Sequence, residues 1–204
     1  MLQIKVCGMR EARNISDLIA VQPNFIGFIF HEGSSRNCTQ KPLIKIPKAI
    51  KKVGVFVNKS IEFILNKVEV FNLDYVQLHG NEKVSFCEEL NGKDIQVIKA
   101  FNIHSKFDFN QLAEYEQSCI YFLFDASGQR PGGNGIVFDW ELLQKYNGKT
   151  PFLLSGGIND LMVKAIKNIK HNQFIGIDIN SGFEIAPALK NILKIKLFYD
   201  ELRS

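Results

Sequence analysis

Two short glycine turns stand late in the chain, SGGIND at 155–160 and NSGFE at 180–184, and turns of this kind can hold an anion. Gly156, Gly157 and Gly182 leave room for backbone N–H groups to close on a negative group, and a following helix start adds a favourable dipole. Asn159 or Asp160 stands where that helix would be capped. At the other end, Cys7 is the first residue past the apolar alternation LQIKV (2–6) and is followed at once by Gly8. A lone cysteine is most often a small buried apolar residue; at the end of a strand it can also be a reactive group. Arg36, Gln77, His79, Asp125, Ser155 and Asp178 complete the set of polar or charged residues that close apolar runs or stand just beyond them.

These residues meet only if the chain brings its strand ends together. Eight apolar runs read as strands, at 2–6, 25–30, 52–57, 75–79, 95–100, 120–125, 151–155 and 174–179. Helical stretches such as SIEFILNKVEVF, EKVSFCEEL, FDFNQLAEYE and DWELLQKY fall between them, and the chain closes on PALKNILKIKLFYDELR. Strands alternating with helices imply right-handed crossovers and a parallel sheet. Eight units within 204 residues favour a closed (β/α)8 TIM barrel, α/β in class, as a single catalytic domain over residues 1–204. In such a barrel the reactive strand ends share one mouth, and the loops after strands seven and eight commonly hold a phosphate. Two loops are long, 31–40 and 126–138; the second carries four glycines and suits a flap that closes over a ligand.

Composition narrows the function classes. Hydrophobic residues make up 46% and charged residues 23%, ordinary for a globular protein. No apolar run approaches a membrane span, and the first residues lack a signal peptide's pattern. Cys7, Cys38, Cys87 and Cys119 lie far apart with no CxxC pair, against a zinc site or a disulfide framework, so a reducing cytoplasm is the expected location. The net charge of +4 is spread along the chain, which reads as a solvated surface and not a nucleic-acid footprint. A mild positive potential still helps an anionic metabolite approach.

The motifs KVCGMR, GFIF followed by Ser35-Arg36, VQLHG, FLFDASG…GGNGIVFDW, LLSGGI, GIDINSGFE and KIKLFYDELR occur in that order along nearly the whole chain. Together they resemble the phosphoribosylanthranilate isomerase family. The resemblance implies a step of tryptophan biosynthesis: the Amadori rearrangement of N-(5-phosphoribosyl)anthranilate to 1-(2-carboxyphenylamino)-1-deoxyribulose 5-phosphate, without a cofactor. It assigns the general base to Cys7 and the general acid to Asp125. Protonating the ribose ring oxygen opens the ring to a Schiff base, and removing the C2 proton gives an enolamine that tautomerises to the ketone. Acid and base must therefore flank one sugar. An ordinary thiol value near 8.5 asks for a helix start or a cation beside Cys7, with Gly8, Met9 and Arg10 as the candidates. Partial burial would help Asp125 keep its proton.

By the same resemblance, Arg36 contacts the anthranilate carboxylate, and Gly156, Gly157, Ser181 and Gly182 hold the phosphate. Asp178 and Asn180 complete the substrate-binding set, Asp178 by positioning the eighth-strand loop. His79 has a local structural role, and the role of Lys5 is open. The expected partners are a small phosphorylated substrate and other tryptophan-pathway enzymes, with no nucleic acid and no membrane. Asn134, Ile136, Val137, Asn180, Ala188 and Asn191 depart from the family pattern, which touches loop six and the phosphate contacts more than the reaction. Two rival readings are the histidine-pathway isomerase and a silent phosphosugar-binding barrel. The first calls for an aspartate at the first strand end and a half-barrel repeat; the second leaves Cys7 and Asp125 without a task.

Overall fold

The structure, a computed structural model, describes residues 2–126 and 140–204. The expected flap beyond Ala126, with the departures at Asn134, Ile136 and Val137, lies outside the described residues.

Eight parallel strands close into a barrel in chain order, from β1 (Gln3–Val6), β2 (Phe25–Ile29), β3 (Lys51–Phe56) and β4 (Tyr75–Leu78) to β5 (Val97–Asn102), β6 (Tyr121–Asp125), β7 (Phe152–Ser155) and β8 (Phe174–Ile179). The ring shuts where β8 pairs with β1, setting Lys5 opposite Asp178 and Val6 opposite Ile179. Each strand lies within a few residues of its apolar run in the sequence. Alternate side chains divide between two cores, as a two-residue period requires. Ile4, Val6, Phe122, Phe124 and Ile177 face the outer layer, while Phe25, Val53, Ile98, Leu123 and Leu153 fill the barrel. Phe25, Tyr75 and Tyr121, near the strand starts, touch edge-on or tilted with ring centroids 5.7–6.3 Å apart and plug the floor.

Among the described residues five α-helices cover the outside: α1 (Ala12–Ile19), α2 (Ile61–Phe71), α3 (Val84–Asn91), α4 (Val163–Lys167) and α5 (Ile192–Arg203). Ser60 starts α2 by accepting from the Phe63 N–H, and Asn191 starts α5 by accepting from the Lys194 N–H. The connection from β2 to β3 has no helix; Cys38 and Ile50 bury themselves from loop positions instead. Two stretches that read as helices are 3₁₀ turns, Phe109–Tyr115 and Trp140–Lys145. Their apolar anchors are three apart (Phe109 with Leu112, Trp140 with Leu143), the spacing that a 3₁₀ turn aligns. After β8 a hairpin of β9 (Glu184–Ala186) and β10 (Leu189–Lys190) precedes α5, which the sequence does not suggest. No helix among the described residues is long and apolar enough to cross a membrane.

Candidate active site

The inward positions at the strands' C-terminal ends are where the interior turns from apolar to polar. A cavity of about 180 Å³ opens there, lined by Cys7, Gln77, His79, Asp125, Ser155, Gly156, Gly157, Asp178, Asn180, Ser181 and Gly182. Every residue singled out for the site lines it except Arg36. Cys7 follows β1 directly, its backbone N–H donating to the Ile179 carbonyl at 2.9 Å, so the eighth strand fixes the thiol's position.

Cys7 is buried, and burial pushes its thiol above the ordinary value, against the pull of Lys5 and Lys190. The cations beside the sulfur are therefore those two lysines. Arg10 is turned to Glu11 at 2.9 Å, and α1 starts only at Ala12, so neither a basic neighbour nor a helix start follows Cys7. Lys5 is wholly buried, with its Nζ 2.7 Å from Asp178 Oδ2. Burial alone would lower the lysine's value, but Asp178 and Cys7 hold the ammonium strongly enough to raise it.

Across the cavity, Asp125 Oδ2 stands 3.1 Å from His79 Nε2, and the other ring nitrogen is 3.0 Å from Gln77 Nε2. With Gln77 as donor to Nδ1, the neutral imidazole presents Nε2–H to Asp125. Sequence reasoning gave His79 a local role. The pointer to more was its place two residues after Gln77, on the inward face at the end of β4. Gln77 Oε1, Ser155 Oγ and Asp178 Oδ1 are buried with no hydrogen-bond partner among the described residues, and their side chains belong to the cavity wall. Buried polar atoms left in this state mark positions where a ligand's donors can bind.

The two glycine turns touch each other. A side chain on Gly182 would meet the Ile158 carbonyl at 2.2 Å, so glycine there permits the close packing. Gly156 and Gly157 have φ of 100° and 64°, and a side chain on Gly157 would meet nothing within 4 Å, leaving its approach open. Asn159, one of the two expected caps, accepts from the Leu161 N–H at 3.0 Å.

Arg36 comes from the loop after β2 and lies beside Gly8, gripping Glu184 through Nε at 2.9 and 3.0 Å and Nη2 at 2.6 Å. Glu184 also accepts from Lys190 Nζ at 2.6 Å, and Lys190 donates to Asn180 Oδ1 at 2.8 Å. Glu184 and Lys190 belong to the unforeseen hairpin, so no local pattern points to them. Two cations around one carboxylate leave a positive charge beside the cavity, where an anionic group completes the balance.

The family model for N-(5'-phosphoribosyl)anthranilate (PRA) isomerase matches residues 4–201. N-(5'-phosphoribosyl)anthranilate isomerase of Parabacteroides distasonis is 48% identical over 204 residues, covering 98% of this chain and 92% of its own. The tryptophan biosynthesis protein TrpCF of Helicobacter pylori is 40% identical over 199 residues, 94% of this chain against 42% of that longer protein. Among solved structures, a phosphoribosyl anthranilate isomerase in complex with reduced 1-(o-carboxyphenylamino)-1-deoxyribulose 5-phosphate superposes with a TM-score of 0.80 at 26% identity, covering 100% of this chain and 99% of that one. With a cavity at the barrel mouth walled by the same motifs that carried the resemblance, this chain belongs to the N-(5'-phosphoribosyl)anthranilate isomerase family.

Proposed function

We propose that the cavity performs the family's Amadori rearrangement with Cys7 as general base and Asp125 as general acid, residues 1–204 acting as one catalytic domain. Asp125 protonates the ribose ring oxygen and opens the sugar to the Schiff base. Cys7, as thiolate, then removes the C2 proton, and the enolamine tautomerises to the aminoketose. The observation that carries this reading is the shared cavity: a thiol and a carboxyl from strands one and six line one space with the two glycine turns. The substrate phosphate takes the backbone N–H groups around Gly156, Gly157, Ser181 and Gly182. Asp178 Oδ1 accepts from the sugar hydroxyls, and Ser155 Oγ accepts from or donates to them.

The anthranilate carboxylate completes the charge of the Arg36–Glu184–Lys190 cluster. Arg36 meets it with the fork that Glu184 holds in place, and Asn180 keeps Lys190 aligned. The ligand of the solved relative, an o-carboxyphenylamino deoxyribulose phosphate, carries the same three features: a carboxylate, a sugar chain and a phosphate. A cytoplasmic location fits this pathway role. The joining of a homologous segment to further sequence in the Helicobacter pylori protein supports working contact with other tryptophan-pathway enzymes.

The test is turnover of N-(5-phosphoribosyl)anthranilate by the purified chain, alongside growth of a tryptophan auxotroph lacking this step. The wild-type chain restores growth and forms the aminoketose phosphate. Cys7→Ser lowers kcat on the order of 10²–10⁴-fold, the usual worth of a general base, with folding intact. Wild-type turnover by a folded Cys7→Ser protein would remove Cys7 as the base.

A further inference from the structure

The proposed chemistry leaves one buried cation at the site without a task. Lys5 precedes Cys7 by two residues, which puts both side chains on the inward face of the first strand. Its neighbours at that depth of the barrel are apolar or aromatic, and its paired residue on β2 is Phe25. On the other side it pairs with Asp178, bonded at 2.7 Å.

Lys5 also lies against the sulfur. A methyl group added at Gly27 on the adjacent strand would stand 2.9 Å from Cys7 Sγ and 3.3 Å from Lys5 Nζ, so both atoms crowd the same point and only glycine leaves them room. The ammonium is therefore close enough to the sulfur for its charge to act on it. The other charged or titratable groups around Cys7 are Asp178 from β8, Lys190 from β10, Arg36 with Glu184 at the hairpin, and His79 and Asp125 across the cavity. Lys190 and Arg36 are both committed to Glu184, and His79 faces Asp125. Lys5 acts on the sulfur more strongly than any of these charges. A buried ion pair is poor evidence of stabilisation, because apolar residues of the same volume often serve as well. Its position behind the thiol is where it has an effect that apolar residues cannot supply.

We propose that Lys5 is the positioning residue of the base: it fixes the Cys7 sulfur at the cavity wall and stabilises its thiolate, with Asp178 holding the ammonium charged and aimed. The proposal rests on Cys7 being the base. In the step it serves, the C2–H bond breaks and an S–H bond forms. The released electron pair becomes the C1–C2 double bond, and the Schiff-base nitrogen takes the former C–N π pair. Lys5 keeps its protons throughout and favours the sulfur in the form that begins the step.

The experiment reads the thiolate directly. Iodoacetamide alkylation at Cys7, followed by peptide mass spectrometry from pH 6 to 10, separates this sulfur from Cys38, Cys87 and Cys119. Lys5→Met removes the charge at similar length. Lys5→Met/Asp178→Asn removes it without stranding a buried carboxylate, and is read in its place if the single variant does not fold. Either folded variant alkylates Cys7 about tenfold more slowly at pH 7, its curve displaced upward by about one pH unit. In Lys5→Met, kcat falls with it and recovers as the pH rises, which a merely structural lysine would not give. A folded variant with the wild-type alkylation curve would overturn the proposal, as would failure of both variants to fold. Turnover by Cys7→Ser reports on the base alone, so the two readings fail separately.

Discussion

Asp125→Asn separates an acid that gives a proton from a carboxylate that only shapes the cavity. The side chain is 15% exposed and its Oδ2 meets His79 Nε2 at 3.1 Å. Asparagine has nearly the same outline and can still accept from the imidazole, so the bond to His79 is weakened and not lost. That exchange costs about 1 kcal/mol, and a domain of this size then melts about 2–4 °C lower. Turnover suffers far more, because the amide has no proton to give the ring oxygen. The loss of a general acid is on the order of 10²–10⁴-fold in kcat, about 3–5 kcal/mol of barrier. KM stays within about threefold, since the glycine turns and the Arg36 cluster are untouched. His79→Asn is the companion: it removes the imidazole's bond to Asp125, worth about 1 kcal/mol, and slows kcat about fivefold to tenfold. Steady-state kinetics on N-(5-phosphoribosyl)anthranilate, with melting curves for each variant, decide the matter. An Asp125→Asn enzyme within tenfold of wild-type kcat refutes the acid assignment. A His79→Asn enzyme as slow as Asp125→Asn would move that role to the histidine.

Two further outcomes probe the anion sites. Gly157→Val puts a side chain at φ 64° into open space at the cavity, so it raises KM at least about tenfold and weakens inhibition by inorganic phosphate; unchanged phosphate affinity would show the phosphate site lies elsewhere. Burial works against the charge of Glu184, but its bonds to Arg36 and Lys190 outweigh that and hold its carboxyl below the ordinary value. Its stabilisation is therefore present above the unfolded value near 4.3 and lost as pH falls through the lower folded value. Glu184→Gln breaks a largely desolvated pair and costs about 2–3 kcal/mol, or about 5–10 °C in Tm at pH 7, with the difference shrinking below about pH 4. A Tm equal to wild type at pH 7 would show the cluster does not stabilise the hairpin.

The barrel was legible because apolar period and barrel geometry speak the same language. Every strand lies within a few residues of the run that announced it, since a buried parallel strand is a short continuous apolar segment. The cavity wall was legible for the same reason: strand ends are readable, and a barrel sends them to one mouth. What escaped was decided between distant segments. FDFNQLAEYE has helical composition, yet Asp108 caps the Asn110 N–H and the turn winds as 3₁₀ to seat Phe109 and Leu112 together. Lys5 reads locally as one more lysine in an alternating strand, and only the register with β8 gives it Asp178 as a partner. Arg36 was assigned a ligand's carboxylate, while its partner in the structure is Glu184, 148 residues along the chain.

Those missed partners share a pattern that bears on how the site is held together. Lys5 with Asp178 spans 173 residues, Asn14 with the Lys190 backbone 176, and Arg36 with Glu184 148. All three cross the seam where the last strand and its hairpin return to the first two strands. A seam joining the two ends of the chain carries the largest loop-closure cost in the molecule. An apolar seam would close it at least as cheaply as buried charges, which must first be stripped of water. The chain instead sets Lys5 with Asp178, and Arg36 and Lys190 with Glu184, there around the thiol. Polar closure at this one seam makes thiol geometry and barrel closure a single event: while β8 is apart from β1, the sulfur lacks both the carbonyl that fixes its backbone and the carboxylate that anchors its lysine. Under the proposed roles the reactive form of the site is thereby confined to the closed barrel, with the charges inside the seam and Ile4, Val6, Ile177 and Ile179 packed outside it.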